Sequence, residues 1–275
     1  MTKTIDSQYQ ALPFALPEVD HNYGDNVHIL SSPFLMTLLS KVCAKGTTQP
    51  EANTIFTELY INLLNMVMNN EFPRKMASVP SRMIDQTEHG CYNGQIIDPD
   101  THVAIASVAR AGILPSQIIF DRLNMLMNPA GVRLDCFFVA RAIDEKSHVT
   151  GANVASSKIG GTLEGQILLL PDPMGATGSS ILQTLDTYKA EGITDTPLKK
   201  IAIHMIITPE YLMNLKKTDP DVIVYTVRLD RGLSSPEVLA TKPGTRWDEE
   251  KGLNDIHYIV PGGGGIGEVM TNSWV

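Results

Sequence analysis

From about residue 100 the chain alternates short, almost unbroken apolar runs with amphipathic segments of helical period, which leaves few folds open. His102-Val103-Ala104-Ile105-Ala106-Ser107-Val108 reads as a strand, 115–128 as a helix carrying Ile118, Ile119, Leu123 and Leu126, and 133–140 as the next strand. Strands over 166–170, 200–207 and 222–227 continue the series, with helices over 179–190 and 209–217 between them and a last strand over 256–260. Strands that are apolar on both faces need cover on both faces. The pattern therefore predicts an α/β fold, a parallel sheet with helices on both sides and ligands beyond the carboxyl ends of the strands.

Upstream, residues 1–30 hold Pro13, Pro17 and Gly24 without periodicity and read as an irregular N-terminal arm. Ser32-Pro33 starts a helix with Leu35, Leu38, Leu39 and Val42 on one face. Pro50-Glu51 opens a longer one, ending near Asn69-Asn70, whose Ile55, Leu59, Leu63, Met66 and Val67 share a face. Residues 31–275 are expected to form a single domain. Two stretches interrupt it: 144–165, with Ser156, Ser157, Gly160, Gly161 and Gly165, reads as a mobile flap or hairpin, and 234–254 as a polar surface insertion. No 20–50-residue period repeats, which excludes a solenoid.

At 275 residues, 43% hydrophobic and 19% charged, the chain can bury one substantial core. A net charge of -8 argues against nucleic acid as the principal partner while leaving room for a local anion site. Cys43, Cys91 and Cys136 are odd in number and lack CxxC spacing, as in a reduced compartment without disulfides or structural zinc. Lys3, Asp6 and Gln8 precede any apolar run, and no run approaches about 18 apolar residues, so a cytoplasmic protein without a membrane span is expected.

Chemistry concentrates where strands end. Leu168-Leu169-Leu170-Pro171 runs into Asp172-Pro173-Met174-Gly175-Ala176-Thr177-Gly178-Ser179-Ser180 and then a helix. Small residues let the backbone approach an anion, the helix start supplies N–H donors, and Thr177, Ser179 and Ser180 add hydroxyls. Asp172 is placed to accept from ribose hydroxyls or lie near a magnesium ion. The loop is no triphosphate P-loop, because Gly178 is followed by Ser179 instead of lysine. Gly262-Gly263-Gly264-Gly265-Ile266-Gly267 matches GxGxxG formally, but eight residues remain after it, too few for a dinucleotide-binding unit. It reads either as a flexible run or as a ligand-facing loop. Arg110-Ala111-Gly112 follows a strand, as does Arg141, and each arginine reads either as a surface ion pair or as one prong on a pyrophosphate. His204 and His257 read as structural histidines.

Together these motifs resemble the uracil phosphoribosyltransferase family, from about residue 28 to the C-terminus. Asp172 to Ser180 is similar to that family's phosphoribosyl pyrophosphate loop, Arg110-Ala111-Gly112 to its Arg-Ala-Gly element, Asp230-Arg231-Gly232-Leu233 to the turn that follows a later strand, and Tyr258-Ile259-Val260-Pro261-Gly262 to the entry of its base loop. The resemblance implies a type I phosphoribosyltransferase fold and transfer of phosphoribosyl from 5-phosphoribosyl 1-pyrophosphate to a pyrimidine, most simply uracil, giving UMP and pyrophosphate. It implies that Asp172, Pro173, Met174, Gly175, Ala176, Thr177, Gly178, Ser179 and Ser180 hold the ribose phosphate, that Arg110 and Arg141 hold pyrophosphate, and that Asp172 and Arg110 carry the chemistry. Ile259, Gly264, Gly265 and Ile266 would meet the base through backbone. Magnesium would arrive on the substrate, with no protein metal site, and a homo-oligomer, dimer or tetramer, is expected.

The chain departs from the family where Gly265 and Ile266 replace the usual aspartate and alanine, and where Gly175 replaces a common leucine. Those departures keep two other readings in view: a non-catalytic phosphoribosyl pyrophosphate or nucleotide-binding regulator, and a transferase for another base.

Overall fold

A computed structural model describes residues 6–143 and 149–274, without the side chains of 139–143 and 149–154. Along Gln166–Pro171 every residue is buried. Ile167 and Leu169 enter one hydrophobic core and Leu168 and Leu170 the other, as the two-residue period of a strand requires. In chain order the elements are β1 (Val27–Ile29), α1 (Pro33–Val42), α2 (Glu51–Glu71), β2 (Arg74–Pro80), β3 (Cys91–Ile97), β4 (His102–Ala109), α3 (Ile113–Leu126), β5 (Val132–Ile143), β6 (Val149–Lys158), β7 (Gln166–Pro171), β8 (Met174–Gly175), α4 (Ser179–Ala190), β9 (Lys199–Ile207), α5 (Pro209–Thr218), β10 (Val222–Leu229), α6 (Pro236–Leu239) and α7 (Ile266–Thr271).

The main sheet has the order β1-β10-β9-β7-β4-β5-β6, with β8 beside the end of β9. All its pairings are parallel except β5 with β6. Leu39 of α1, Phe56 and Leu59 of α2, Ile119 of α3 and Ile266 of α7 pack on one face. Ile181 and Tyr188 of α4 and Tyr211 and Leu215 of α5 cover the other. The expected α/β fold with helices on both faces is therefore present. From β4 the chain leaves towards β5, and from the neighbouring β7 it leaves the opposite way, towards β9. This is the switch point at which an open α/β sheet leaves a crevice beyond its strand ends.

Several expectations change. Val27–Ile29, at the end of the stretch read as irregular, pairs in parallel with Val224–Thr226 and forms the sheet edge. No strand forms over 256–260, where Leu253 and Ile259 make only an isolated bridge. β1 already occupies the free side of β10, and Val260 is committed elsewhere, accepting from Gly232 N–H at 3.0 Å and donating to Gly252 at 2.8 Å. His257, exposed and at φ 61°, lies in the turn before it and is no core histidine.

The stretch 144–165 resolves into β6, antiparallel to β5, and a loop tied down by the Gly160 N–H to Asp135 bond (2.8 Å) and by buried Leu163. Residues 144–148 lie outside the described residues. The stretch 234–254 is no mere surface excursion. Glu250 is buried, pairs with Arg231 at 2.7 Å and accepts from Gly244 N–H and the Tyr23 hydroxyl, while Trp247 packs edge-on to Tyr23. The β2–β3 hairpin escapes sequence reading because all its residues but Gly94 are half-buried or exposed and give no apolar alternation.

Candidate functional site

Two loops leave the sheet at the switch point, and glycine brings them together. A Cβ on Gly112 would lie 2.7 Å from the Val108 carbonyl and 2.9 Å from that of Pro171, so only glycine lets the loop after β4 sit against the end of β7. A Cβ on Gly267 would stand 3.5 Å from the Ala111 Cβ, which brings α7 and the glycine run before it alongside. Arg110 is exposed at this junction and donates to the Ser273 hydroxyl at 2.7 Å. Arg141 lies in β5 opposite Ala152, and its side chain is outside the described residues.

After β7 the chain is held by its backbone. Asp172 N–H donates to Ile203 (3.1 Å), and the Pro173 carbonyl accepts from Met205 and Ile206 at 3.1 and 3.2 Å. Gly175 then passes so close to α5 that a Cβ would lie 2.9 Å from Ile207 Cγ2 and 3.1 Å from the Tyr211 ring. Gly178 turns the loop at φ 81° into the first turn of α4.

The loop's carbonyls are occupied from behind. Gly175 accepts from Thr208 N–H at 3.1 Å, Ala176 from the Thr208 hydroxyl at 2.7 Å, and Thr177 from the Asn214 amide at 2.8 Å. With the carbonyls so engaged, the N–H groups of Thr177, Gly178 and Ser180 find no acceptor among the described residues. The Thr177 and Ser179 hydroxyls stand 2.9 Å apart beside them. Outward donors at a helix start are what a phosphate needs.

Asp172 is the one carboxylate on this loop. It is half-buried, accepts from Met174 N–H at 3.2 Å, and loss of solvent pushes it up to about 6. Its carbonyl is fixed by His204, whose Nδ1 lies 2.5 Å away and whose Nε2 lies 2.6 Å from the Tyr211 hydroxyl. Burial pushes His204 down to about 4, so it is neutral at physiological pH: Nδ1–H donates to Asp172 and Nε2 accepts from Tyr211. His204 is thus a satisfied structural histidine that positions the loop's first residue.

In the C-terminal glycine-rich segment the side chains of Ile259 and Ile266 are buried in the core, and the Ile266 N–H is engaged by the Gly264 carbonyl at 3.0 Å. The branched side chain of Ile266 therefore does not narrow the crevice. Gly264 has φ 70°, and a Cβ on Gly265 would fall 2.4 Å from the Glu268 carboxylate, which lies over it.

Sequence reading named His204 as structural and Asp230 within the 230–233 turn but missed their partners Tyr211 and Arg228, and missed that Thr208 and Asn214 support the loop. Thr208 caps α5, accepting from Tyr211 N–H at 3.0 Å, while its proton goes to Ala176.

A sheet with its switch point between β4 and β7, a small-residue loop after β7 with outward N–H groups and an arginine-bearing loop after β4 define the class of open α/β proteins with a crevice beyond their strand ends. Within that class the assignment follows from comparison with known proteins. The uracil phosphoribosyltransferase family model matches residues 29–245, and the chain belongs to that family. Uracil phosphoribosyltransferases of Dictyoglomus thermophilum and Dictyoglomus turgidum are similar at 25% and 24% identity, each over 88% of this chain and 97% of the relative. The AQ2163 protein of Aquifex aeolicus has a similar structure, with TM-score 0.64 and 19% identity over 90% of this chain and 99% of that one. The family match ends before the glycine run at 262–267. No described helix is long and apolar enough to cross a membrane.

Proposed function

We propose that the protein transfers the phosphoribosyl group of 5-phosphoribosyl 1-pyrophosphate to uracil, giving UMP and pyrophosphate. The observation that carries this reading is the set of N–H groups of Thr177, Gly178 and Ser180 without an acceptor among the described residues, on the loop after β7, against whose end Gly112 sets the Arg110-bearing loop. In this reaction a ring nitrogen of the base bonds to the anomeric carbon as the carbon–oxygen bond to pyrophosphate breaks, through a state with oxocarbenium character. Such chemistry depends on position and on stabilising the departing charge more than on a strong nucleophile. The loop 172–180 holds the ribose phosphate, Asp172 accepts from ribose hydroxyls, and Arg110 and Arg141 take the pyrophosphate. The segment that includes β6 acts as the water-excluding lid.

Among the described residues no three His, Cys, Asp or Glu converge to hold a metal. Magnesium is proposed to arrive on the oxygens of the incoming substrate. The protein is proposed to work in the cytoplasm as a homo-oligomer.

The test is pyrophosphate release dependent on uracil and magnesium; folded protein inactive with every pyrimidine would overturn the proposal. Arg110→Ala is expected to weaken phosphoribosyl pyrophosphate handling by about 1.5–3 kcal/mol, the scale of a hydrogen bond to a charged group. Unchanged affinity would remove Arg110 from the site. Gly265 supports a second reading, a binding protein without turnover, because the base loop lacks a side chain there. Calorimetric binding without catalysis, with activity appearing in Gly265→Asp, would favour it. A panel of bases separates a transferase for another heterocycle.

A further inference from the structure

The glycine run needs a fixed shape if backbone alone is to recognise a base, and Gly262 shows how that shape is set. Its φ is 60°, and a Cβ there would lie 2.2 Å from the Ile259 carbonyl, so no other residue fits the turn. Both of its polar groups are engaged by one ion pair. Gly262 N–H donates to Asp230 Oδ2 at 2.7 Å, and the Gly262 carbonyl accepts from Arg228 Nη2 at 3.1 Å. Arg228 in turn grips Asp230 with two bonds, Nε to Oδ1 at 2.5 Å and Nη2 to Oδ2 at 2.8 Å.

Asp230 is 2% exposed, and its own N–H is held by Ile207 at the end of β9 at 2.8 Å. The clamp is therefore anchored to the sheet. Fixing both groups of Gly262 fixes the peptide planes on either side. The Gly262 carbonyl points at Arg228, so in a trans peptide the N–H of Gly263 is turned the opposite way. Gly263, Gly264 and Gly265 follow with N–H groups that find no acceptor among the described residues, whereas the carbonyls of Gly264 and Gly265 accept from Ile266 (3.0 Å) and Val269 (3.1 Å). The loop thus offers a row of donors.

We propose that Arg228 and Asp230 are positioning residues for base recognition: by clamping Gly262 they set the donor row at 263–265 that selects a ring bearing exocyclic oxygens. This rests on the function proposed above. The side chains of Arg228 and Asp230 bond to each other and to Gly262 and to no residue of 172–180, so the clamp acts directly on the base loop.

Two variants test it: Arg228→Lys, which keeps the charge opposite Asp230 but loses the planar two-pronged grip, and the paired neutral change Arg228→Met with Asp230→Asn, which leaves no buried charge alone. In each, the KM for uracil is expected to rise about tenfold or more, the loss of one well-made hydrogen bond, while the KM for phosphoribosyl pyrophosphate stays within about twofold. A merely structural role would move both constants together or neither, and either result overturns the proposal. Amide hydrogen exchange at Gly262 gives a readout independent of turnover: slow in the unmodified protein and faster in both variants. Unchanged exchange overturns the clamp even in a chain that turns over no pyrimidine, an outcome that would by itself refute only the proposed function.

Discussion

Replacing Asp172 with asparagine should stabilise the folded protein, and do so only where the carboxyl would otherwise be ionised. Burial raises Asp172 from its ordinary 3.8 to about 6 in the folded chain. At about 1.36 kcal/mol for each pH unit between the two values, the ionised form costs about 3 kcal/mol more in the folded protein than in the unfolded one. Water reaching the half-buried carboxyl makes this an upper figure. Below pH 3.8 the group is protonated in both states and carries no such cost. As pH rises through about 6 the cost develops fully, so the native protein loses this share of its stability between about pH 4 and 7. Asparagine does not titrate, and its amide oxygen can keep the bond from Met174 N–H.

Urea unfolding of both proteins across about pH 4 to 8 isolates the effect, because every other titrating group is common to the two and cancels in their difference. The Asp172→Asn protein should gain steadily on the native one with rising pH, reaching at most about 3 kcal/mol. A difference that is flat with pH, or that shrinks as pH rises, would show that Asp172 is not a destabilised carboxylate. Under the proposed function, the expected gain would fit an acceptor kept poorly solvated until ribose hydroxyls arrive.

Tyr211→Phe should cost about 1–3 kcal/mol, because it leaves His204 Nε2 buried without its donor, and equal stability in urea would refute that pairing. The Tyr60 hydroxyl is buried with no partner among the described residues, so Tyr60→Phe should leave stability unchanged or raise it by about 1 kcal/mol; a loss on thermal unfolding would reveal a missing partner. Glu250→Ala removes the acceptor shared by Arg231, Tyr23 and Gly244 and should destabilise by about 3–5 kcal/mol, with a shift in Trp247 fluorescence as 234–254 loosens; an unaltered spectrum would mean that the segment is held otherwise.

The sequence alone determined the fold class, because strands such as Leu168-Leu169-Leu170 are apolar on both faces and can rest only between two helical layers. It also located the loop proposed here to hold phosphate, since small residues between a strand and a helix are what an anion cradle needs of the local backbone. Those signals are short-range: period, cap and turn chemistry all lie within a few residues.

Only the tertiary structure decided which side chains support the loops. Thr208 donates to a carbonyl 32 positions away, and Asp230 accepts from an N–H 32 positions further on. Nothing in local period encodes such partners. For the same reason Val27–Ile29 could not be read as a strand: three residues carry no periodicity, and their pairing exists because β10 presents a free edge. Tyr258-Ile259-Val260 has strand composition yet forms none, since that edge was already taken and its hydrogen bonds went to Gly232 and Gly252. Propensity proposes a strand, and an available neighbour decides whether one forms.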